Sequence, residues 1–371
     1  GGAGTFSDGK LTTSANNELV FSVLNQFVRY GAPDDILTNG MPHIGTDNLK
    51  IAVQNIADEI VSCGGKVLFE TKLVDFDVST NKIESVTLKN KGKVFIEKAD
   101  VLVLAIGHSA RDTFELLHQK GVEMRQKPFS VGVRVEHLQE TINKGCYGQN
   151  YDKRLPAATY KMAAHFGDRS AYTFCMCPGG FVVNASSEHG GVVTNGMSYF
   201  ARDGVNANSA LLINVDTSDF ESDSPLAGIE FQRKIEHAAF VQGGSNYSAP
   251  AQNVTDFLKG KPSVCFYETK PTIMPKALAC DLTECLPEFV TKTLKKALPE
   301  FGKRIVGFDK SGVLTGVETR SSCPLKVVRN ECLQSNIEGI FPIGEGSGYA
   351  GGIVTAAVDG LRCAMKIAET L

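Results

Sequence analysis

The chain has 371 residues, with 38 Lys+Arg against 41 Asp+Glu and a formal charge of −3, which at roughly 100–200 residues per domain points to about two or three domains. Hydrophobic residues at 42% and charged residues at 21% exclude global disorder, and the balanced charge removes the electrostatic case for a general nucleic-acid or membrane-surface binder. Apolar runs such as 101–106 fall far short of the ~20 residues of a membrane span, so a soluble, cytoplasmic protein is expected. The ten cysteines, scattered from Cys63 to Cys363, read as reduced thiols rather than a disulfide framework. No signal peptide or lipidation motif is found, and Gly1 in the place of an initiator Met reads as a cut N-terminus.

The first periodic segment is 47–62, where Leu49, Ile51, Ala52, Ile56, Ile60 and Val61 recur near helical spacing, with Thr46 or Asp47 as N-cap and Gly64-Gly65 as the stop. Segments 66–69 and 73–78 then read as strands, followed by a turn at 79–82 and an alternating strand at 83–88. Segment 101–106, apolar throughout and closed by Gly107, predicts a strand buried on both faces as in a parallel sheet, with a helix over 112–119. Further on, 129–135 alternates, 171–177 and 180–185 are strand-like and joined through Pro178-Gly179, and 210–216 is an apolar strand. Leu286, Val290, Leu294 and Leu298 recur every four residues and predict a helix over 287–298, Pro287 suiting its first turn. The chain closes with a short strand at 339–343, a loop at 344–352 carrying five glycines, and a helix over 353–370. Two sheet-plus-loop units separated by more than 200 residues predict one discontinuous α/β domain, 1–126 and 323–371, with an inserted α+β substrate or cap domain at 127–322.

Gly346, Gly348 and Gly351 form a literal GxGxxG between strand and helix, the pattern by which backbone amides at a helix N-terminus approach a pyrophosphate. No second parallel strand with an acidic residue about 20 positions on follows, so the loop reads as a site for an anion or polar ring, or as tight packing. Glu345 favours the ligand reading, because a carboxylate beside the glycines accepts hydrogen bonds from ribityl or ribose hydroxyls. Cys175 and Cys177 stand at i and i+2 of one strand and share a face. They are open to three readings: a redox pair or substrate-facing thiol, half of a zinc site, or two small buried apolar residues. No second CxC or CxxC exists to complete a zinc site, and no metal is expected. Arg134 and Glu136 share the strand face opposite His137, either as a buried ion pair or with Arg134 clamping a substrate carboxylate. Lys10, Glu318 and Arg320 read as polar groups near a cofactor or as inter-domain ion pairs, and His43 as a substrate contact or a turn residue.

Asp100-Val-Leu-Val-Leu-Ala-Ile-Gly107 together with Gly339-Ile-Phe-Pro-Ile-Gly-Glu345 resembles the middle and C-terminal FAD motifs of the glutathione-reductase-like flavoproteins. Longer strings, Gly2-Ala-Gly-Thr-Phe-Ser-Asp-Gly-Lys-Leu11, Gly132-Val-Arg-Val-Glu-His137, Phe174-Cys-Met-Cys-Pro-Gly-Gly180, Asn195-Gly-Met-Ser198 and Asn206-Ala-Asn-Ser209, resemble a family of bacterial FAD-dependent dehydrogenases of undefined substrate. That resemblance covers nearly the whole chain. It implies an FAD-binding Rossmann-like domain whose N-terminal GxGxxG βαβ unit does not precede Gly1, so the chain is expected to be truncated and incomplete for cofactor binding.

The resemblance places loop 1–11, with Gly2, Ala3, Gly4, Thr5 and Ser7, beside the flavin ring and ribityl chain, and the backbone of Leu73 against the adenine. It brings Ala105, Gly107 and His108 to the cofactor from the middle strand, and Gly344, Glu345 and Gly348 to its ribityl or pyrophosphate region. Amides of Gly351, Gly352, Ile353 and Val354 would face the flavin pyrimidine edge, where a helix N-terminus stabilises the negative charge of the reduced ring. The implied function is hydride exchange between flavin and an organic substrate under the inserted domain. His108, Lys10, Cys177 and Arg134 are the candidate catalytic side chains, and the partners are a small-molecule substrate and an electron donor or acceptor. The alternative is a non-catalytic nucleotide- or RNA-binding protein retaining the fold, which would show a Lys/Arg stripe with stacking aromatics. No such stripe is visible, and Trp is absent.

Overall fold

Over residues 5–13 and 18–370, which this computed structural model describes, the chain begins with α1 (Glu18–Arg29) and α2 (Gly45–Ser62). A meander of β1 (Thr71–Ser79), β2 (Lys82–Asn90) and β3 (Lys93–Lys98) follows, then β4 (Leu102–Leu104), α3 (Arg111–Gln119) and β5 (Met124–Gln126). The middle of the chain holds β6 (Phe129–Leu138), α4 (Gln139–Tyr147), β7 (Ala163–Phe166), β8 (Arg169–Cys177), β9 (Gly180–Asn184), β10 (Thr194–Ser198) and β11 (Asn206–Val215). It continues through α5 (Ala227–Gln242), β12 (Ala249–Asn253), α6 (Val254–Lys259), β13 (Ala277–Ala279), α7 (Glu288–Gly302) and β14 (Val313–Glu318). β15 (Leu325–Val327), β16 (Ile340–Pro342) and α8 (Ile353–Thr370) end it. No helix among the described residues is long and apolar enough to cross a membrane.

The largest hydrophobic core takes all its buried members from residues 129 to 317 and is built on a seven-stranded sheet of order β13-β12-β14-β6-β11-β8-β7. At its centre β6 and β11 pair antiparallel along their full length, from Phe129↔Val215 to Leu138↔Asn206. The alternation of β6 predicts one wet face, but nine of its ten residues are buried. Both faces are covered. Val131, Val133 and Val135 enter the core with Leu294, Leu298 and Phe301 of α7, while Arg134 and Glu136 point the other way, toward the small β9–β10 sheet laid across the strands. β8 and β9 therefore do not form a hairpin, although Pro178-Gly179 joins them: β8 pairs with β11 and β7, and β9 with β10.

β4 and β16 pair in parallel, Leu102 with Ile340 and Leu104 with Pro342, as their apolar runs predict. β16 is buried throughout, whereas β4 buries Leu104 and leaves Val103 40% exposed. α8 follows the glycine loop, and its Val354 and Val358 pack with Leu11, Val23, Ile36 and Ile44. The turn at 79–82 is a two-residue hairpin with Thr80 and Asn81 both at positive φ, the conformation that matches strand twist. Segment 66–69 is not a strand; it runs as loop with Leu68 and Phe69 exposed. Thr46 and Asp47 do not cap α2, which starts at Gly45 after Ile44. Their side chains bind other segments, Thr46 Oγ1 donating to the Thr5 carbonyl at 2.5 Å and Asp47 Oδ1 accepting from the Phe200 N–H at 2.9 Å. Pro287 precedes α7 as its N-cap rather than sitting in its first turn, and the helix runs four residues past the predicted 298.

Gly179 carries the chain from one sheet to the other at φ +50°, where an added Cβ would lie 1.8 Å from the Arg202 carbonyl. Gly121 also has positive φ, but its Cβ would meet nothing within 4 Å. Gly179→Ala is therefore expected to lower the urea midpoint by the equivalent of about 1–3 kcal/mol of overpacking beyond the ~1–2 kcal/mol backbone cost that Gly121→Ala carries alone.

Candidate functional site

A cavity of about 760 Å³ lies between the β9–β10 sheet and the two loops that follow β4 and β16. Phe181, Val182, Met197 and Tyr199 give it an apolar wall, and Thr194, Asn195, Thr272, Glu318, Arg320 and Glu345 supply its polar groups. Gly107, at φ +67°, ends the strand-to-loop turn after β4. Gly346 reaches it backbone to backbone, since a Cβ there would stand 2.4 Å from the Gly107 carbonyl. Added Cβ atoms at Gly107, in the loop after β4, and at Gly351 and Gly352, just before α8, would meet nothing within 4 Å, so these three face open space.

Arg134 lies beneath the cavity and is fully buried. Its Nε donates to Asn208 Oδ1 at 2.8 Å, Nη1 to both Glu318 oxygens at 2.8 and 2.9 Å, and Nη2 to the Cys175 carbonyl at 2.6 Å, with Cys177 Sγ at 3.5 Å. All five guanidinium protons are thereby directed at protein atoms, and none is left for a substrate carboxylate. Its ion-pair partner is Glu318 of β14, which stands opposite Gly132 in the register, rather than the expected Glu136. Glu136 instead accepts from Thr272 Oγ1 at 2.6 Å and Asn206 Nδ2 at 3.1 Å, and burial raises its pKa. Burial also lifts Glu318 to about 7, against the pull of Arg134.

A second charged group flanks the cavity. Arg111 and Arg320 both grip Glu236, with Arg111 Nη2 at 2.7 Å and Arg320 Nη2 at 2.8 Å, and Thr319 Oγ1 donates to the same carboxylate at 2.6 Å. Burial alone would raise Glu236, but these hydrogen bonds bring it down to about 2. His108, on the cavity wall with its Nε2 3.9 Å from Glu345 Oε1, is pressed down to about 4 by burial first and then by Arg320 and Arg111. It is a neutral imidazole at pH 7. Glu345 is raised, chiefly by burial.

Of the sequence-predicted residues, Gly107, His108 and Glu345 meet at the cavity. Arg134 and Cys177 lie under it, and Cys177 is buried with its thiol donating to the Cys175 carbonyl at 3.3 Å. The Lys10 Nζ is buried without a hydrogen-bond partner, 3.6 Å from Asp8 Oδ2, and Asp8 is itself held by Arg202. Lys10 bridges to His43, whose ring stacks on Phe200. Ser7 accepts from the Gly9 N–H. Leu73 pairs with Leu88 on β1, an edge strand of the meander, and Ala105 is exposed just beyond β4. The Gly344 N–H is taken by Asp359, Gly348 packs on the Leu325 carbonyl, and Val354 is buried against α1 and α2 residues. Gly2, Ala3 and Gly4 lie outside the described residues. Thr272 and the Arg111–Glu236 pair escaped the sequence reading because contacts across more than a hundred residues leave no local pattern. Asn206-Ala-Asn-Ser209 was the available signal: two asparagines on a central strand have to bond something buried.

A family described as FAD-dependent protein, C-terminal domain-like, matches residues 128–321, the stretch carrying the seven-stranded sheet. The chain belongs to this family. A Clostridium beijerinckii protein described as uncharacterized is 46% identical over 374 residues, covering 100% of this chain and 69% of the relative. Among solved structures, E. coli quinol fumarate reductase FrdA is similar at TM-score 0.43 and 11% identity, over 99% of this chain and 62% of that one. The flavin-dependent brominase Bmp2 is similar at TM-score 0.40 and 11% identity, over 94% and 66%. The chain thus spans less than two thirds of the length of both structures. FAD is the cofactor of the family, and the open glycine backbone at Gly107, Gly351 and Gly352 beside a helix N-terminus fits a group that needs close main-chain approach and an electropositive end.

Two outcomes follow from these geometries. Arg134→Met leaves Glu318 buried without its cation and is expected to cost about 3–5 kcal/mol by chemical denaturation, part of which the double variant with Glu318→Gln recovers. His108 has a folded pKa below its unfolded value, so the unfolded chain takes up a proton first on acidification and stability falls between about pH 6.5 and 4. His108→Asn is expected to flatten that fall, read as a smaller drop in urea midpoint from pH 7 to pH 5.

Proposed function

We propose that the protein is an FAD-dependent oxidoreductase of the dehydrogenase type, with an organic substrate held in the cavity under the β9–β10 sheet. The observation that carries this reading is the meeting of the two glycine loops, through Gly107 and Glu345, with the polar floor of Glu318 and Arg320 in one cavity of about 760 Å³. Residues 127–322 would then form the substrate or cap domain, and 1–126 with 323–371 the cofactor side.

Gly107, Glu345, Gly351 and Gly352 would hold the cofactor, with the first-turn amides of α8 beside its negative charge. Bound FAD supplies two-electron hydride chemistry. The chain's own residues do the rest. The apolar wall of Phe181, Val182 and Met197 excludes water and packs on a substrate's carbon frame. The Thr194 hydroxyl, buried at the cavity wall without a hydrogen-bond partner, is free to bond a polar group of the substrate. Glu318, with a pKa of about 7, can hold or release a proton at its Oε atoms near neutral pH. His108 in its neutral form orients rather than protonates at that pH, and Lys10 and Cys177 are not on the cavity wall. A nucleic-acid-binding reading gains nothing here, because Arg320 at the cavity and the buried Arg111 are both committed to Glu236.

Titration of the chain with FAD, followed by flavin fluorescence and the visible absorption of the bound ring, tests the reading. Saturable binding is expected, weakened at least about tenfold by Gly346→Val, which pushes the two loops apart against the Gly107 carbonyl; a tenfold change corresponds to about 1.4 kcal/mol. Absence of binding both by the chain and by the chain extended with an N-terminal GxGxxG βαβ unit would overturn the reading.

A further inference from the structure

Cys175 and Cys177 are brought together by a fault in an otherwise regular strand. Opposite β11, the three-residue step from Phe174 to Cys177 faces only the two-residue step from Ala210 to Asn208, so β8 carries an extra residue as a bulge. Cys175 sits in that bulge at φ +43°, in the left-handed region that a residue with a side chain rarely adopts. In a flat strand, Cα atoms at i and i+2 stand about 6.6 Å apart, near the upper end of the ~4.4–6.8 Å range that a disulfide spans. The Cys177 Sγ stands 3.3 Å from the Cys175 carbonyl, to which its thiol donates.

The surroundings are those of a reactive pair rather than of inert packing. The Arg134 guanidinium holds the Cys175 carbonyl at 2.6 Å and approaches Cys177 Sγ at 3.5 Å. The Lys10 ammonium, which has Asp8 3.6 Å away but no hydrogen-bond partner, acts on both thiols. The neighbouring Cys177 thiol, then the cations of Lys10 and Arg134, hold the Cys175 thiol well below the usual range against its burial, while Cys177 is pushed up. Cys280 and Cys285 make the contrast: burial drives Cys280 to about 11 and Cys285 higher, and no cation relieves them. Cys175 is half-buried and Cys177 buried, so an incoming reagent meets Cys175 first. Among the described residues, no group of three or more His, Cys, Asp or Glu side chains is placed to hold a metal here.

We propose that Cys175 and Cys177 form a reversible two-electron thiol/disulfide centre under the cavity floor, with Cys175 as the attacking thiol and Cys177 as the resolving one. Closing it breaks two S–H bonds, makes one S–S bond, and releases two protons and two electrons to a two-electron oxidant. That oxidant is FAD, or an organic disulfide RSSR that leaves as two RSH. Only the choice of FAD as acceptor rests on the proposed function; the dithiol chemistry stands on the strand geometry.

The test equilibrates the chain anaerobically in mixtures of reduced and oxidised glutathione, quenches in acid, alkylates with N-ethylmaleimide and maps the peptides by mass. The peptide holding Cys175 and Cys177 is expected to pass from doubly alkylated to unalkylated and lighter by two hydrogens, and to return with reduced glutathione. Cys177→Ser should instead trap a glutathione adduct on Cys175. Two thiols that stay alkylatable where exposed Cys63 and Cys332 are already modified would overturn the proposal. In a second arm, FAD is added to the reduced chain without oxygen. Loss of the visible flavin band in the parent but not in Cys175→Ser supports FAD as acceptor. Bound FAD with an unchanged band, beside a disulfide that closes with glutathione, overturns FAD as acceptor and keeps the centre. Failure to bind FAD counts against the cavity reading alone.

Discussion

One buried guanidinium ties the middle of this molecule together. Arg134 rises from β6, the centre of the seven-stranded sheet, and reaches β14 through Glu318, β11 through Asn208 and β8 through the Cys175 carbonyl. Gly196 of β10 lies directly over it, since a Cβ there would come within 2.3 Å of Arg134 Nη2. A charge taken out of water is tolerated only when it is fully paired and hydrogen-bonded, so these four strands and the overlying sheet have to arrive at one relative position. The cavity inherits its floor from that requirement, because Glu318 is held in the cavity wall by the same ion pair.

Burial and pairing then divide the ionisable groups near the cavity into two kinds. Glu236, clasped by Arg111 and Arg320, is held ionised far into acid, and so serves as a fixed anchor between α3, α5 and the segment after β14. Glu318 has a single arginine and a deeper burial cost, which leaves it near 7. His108, close to the two arginines, is kept neutral. Fixed ion pairs stand on one side and a group that titrates near neutrality on the other, the separation of roles by environment that proton-transfer sites depend on.

Much of the fold was legible locally. The helix at 353–370 and the strand before it, the parallel partner at 101–106, and the strands at 129–135 and 210–216 all carry runs whose period and punctuation need no distant information. What was misread came from contacts between distant segments. Thr46 and Asp47 have the chemistry of helix caps, but Thr5 and Phe200 claim their side chains. Arg134 and Glu136 have the spacing of a pair, but a carboxylate 184 residues away lies closer. Gly348 belongs to a fingerprint, yet its open α-carbon is needed against Leu325.

The sequence by itself determined the helices near 47–62, 287–298 and 353–370 and the strands at 101–106, 129–135 and 210–216, that a glycine loop precedes the last helix, and that two thiols stand one residue apart. Those are consequences of backbone periodicity, glycine's steric freedom and covalent spacing, which act over a few residues. Tertiary structure alone decided that β9 and β10 leave the main sheet to roof a cavity, that Arg134 pairs with Glu318, and that a bulge sets Cys175 and Cys177 beside one guanidinium. The reason is that desolvation is a property of the assembled interior: a buried charge, thiol or carboxylate acquires its partner and its proton affinity only after segments far apart in the chain have closed around it.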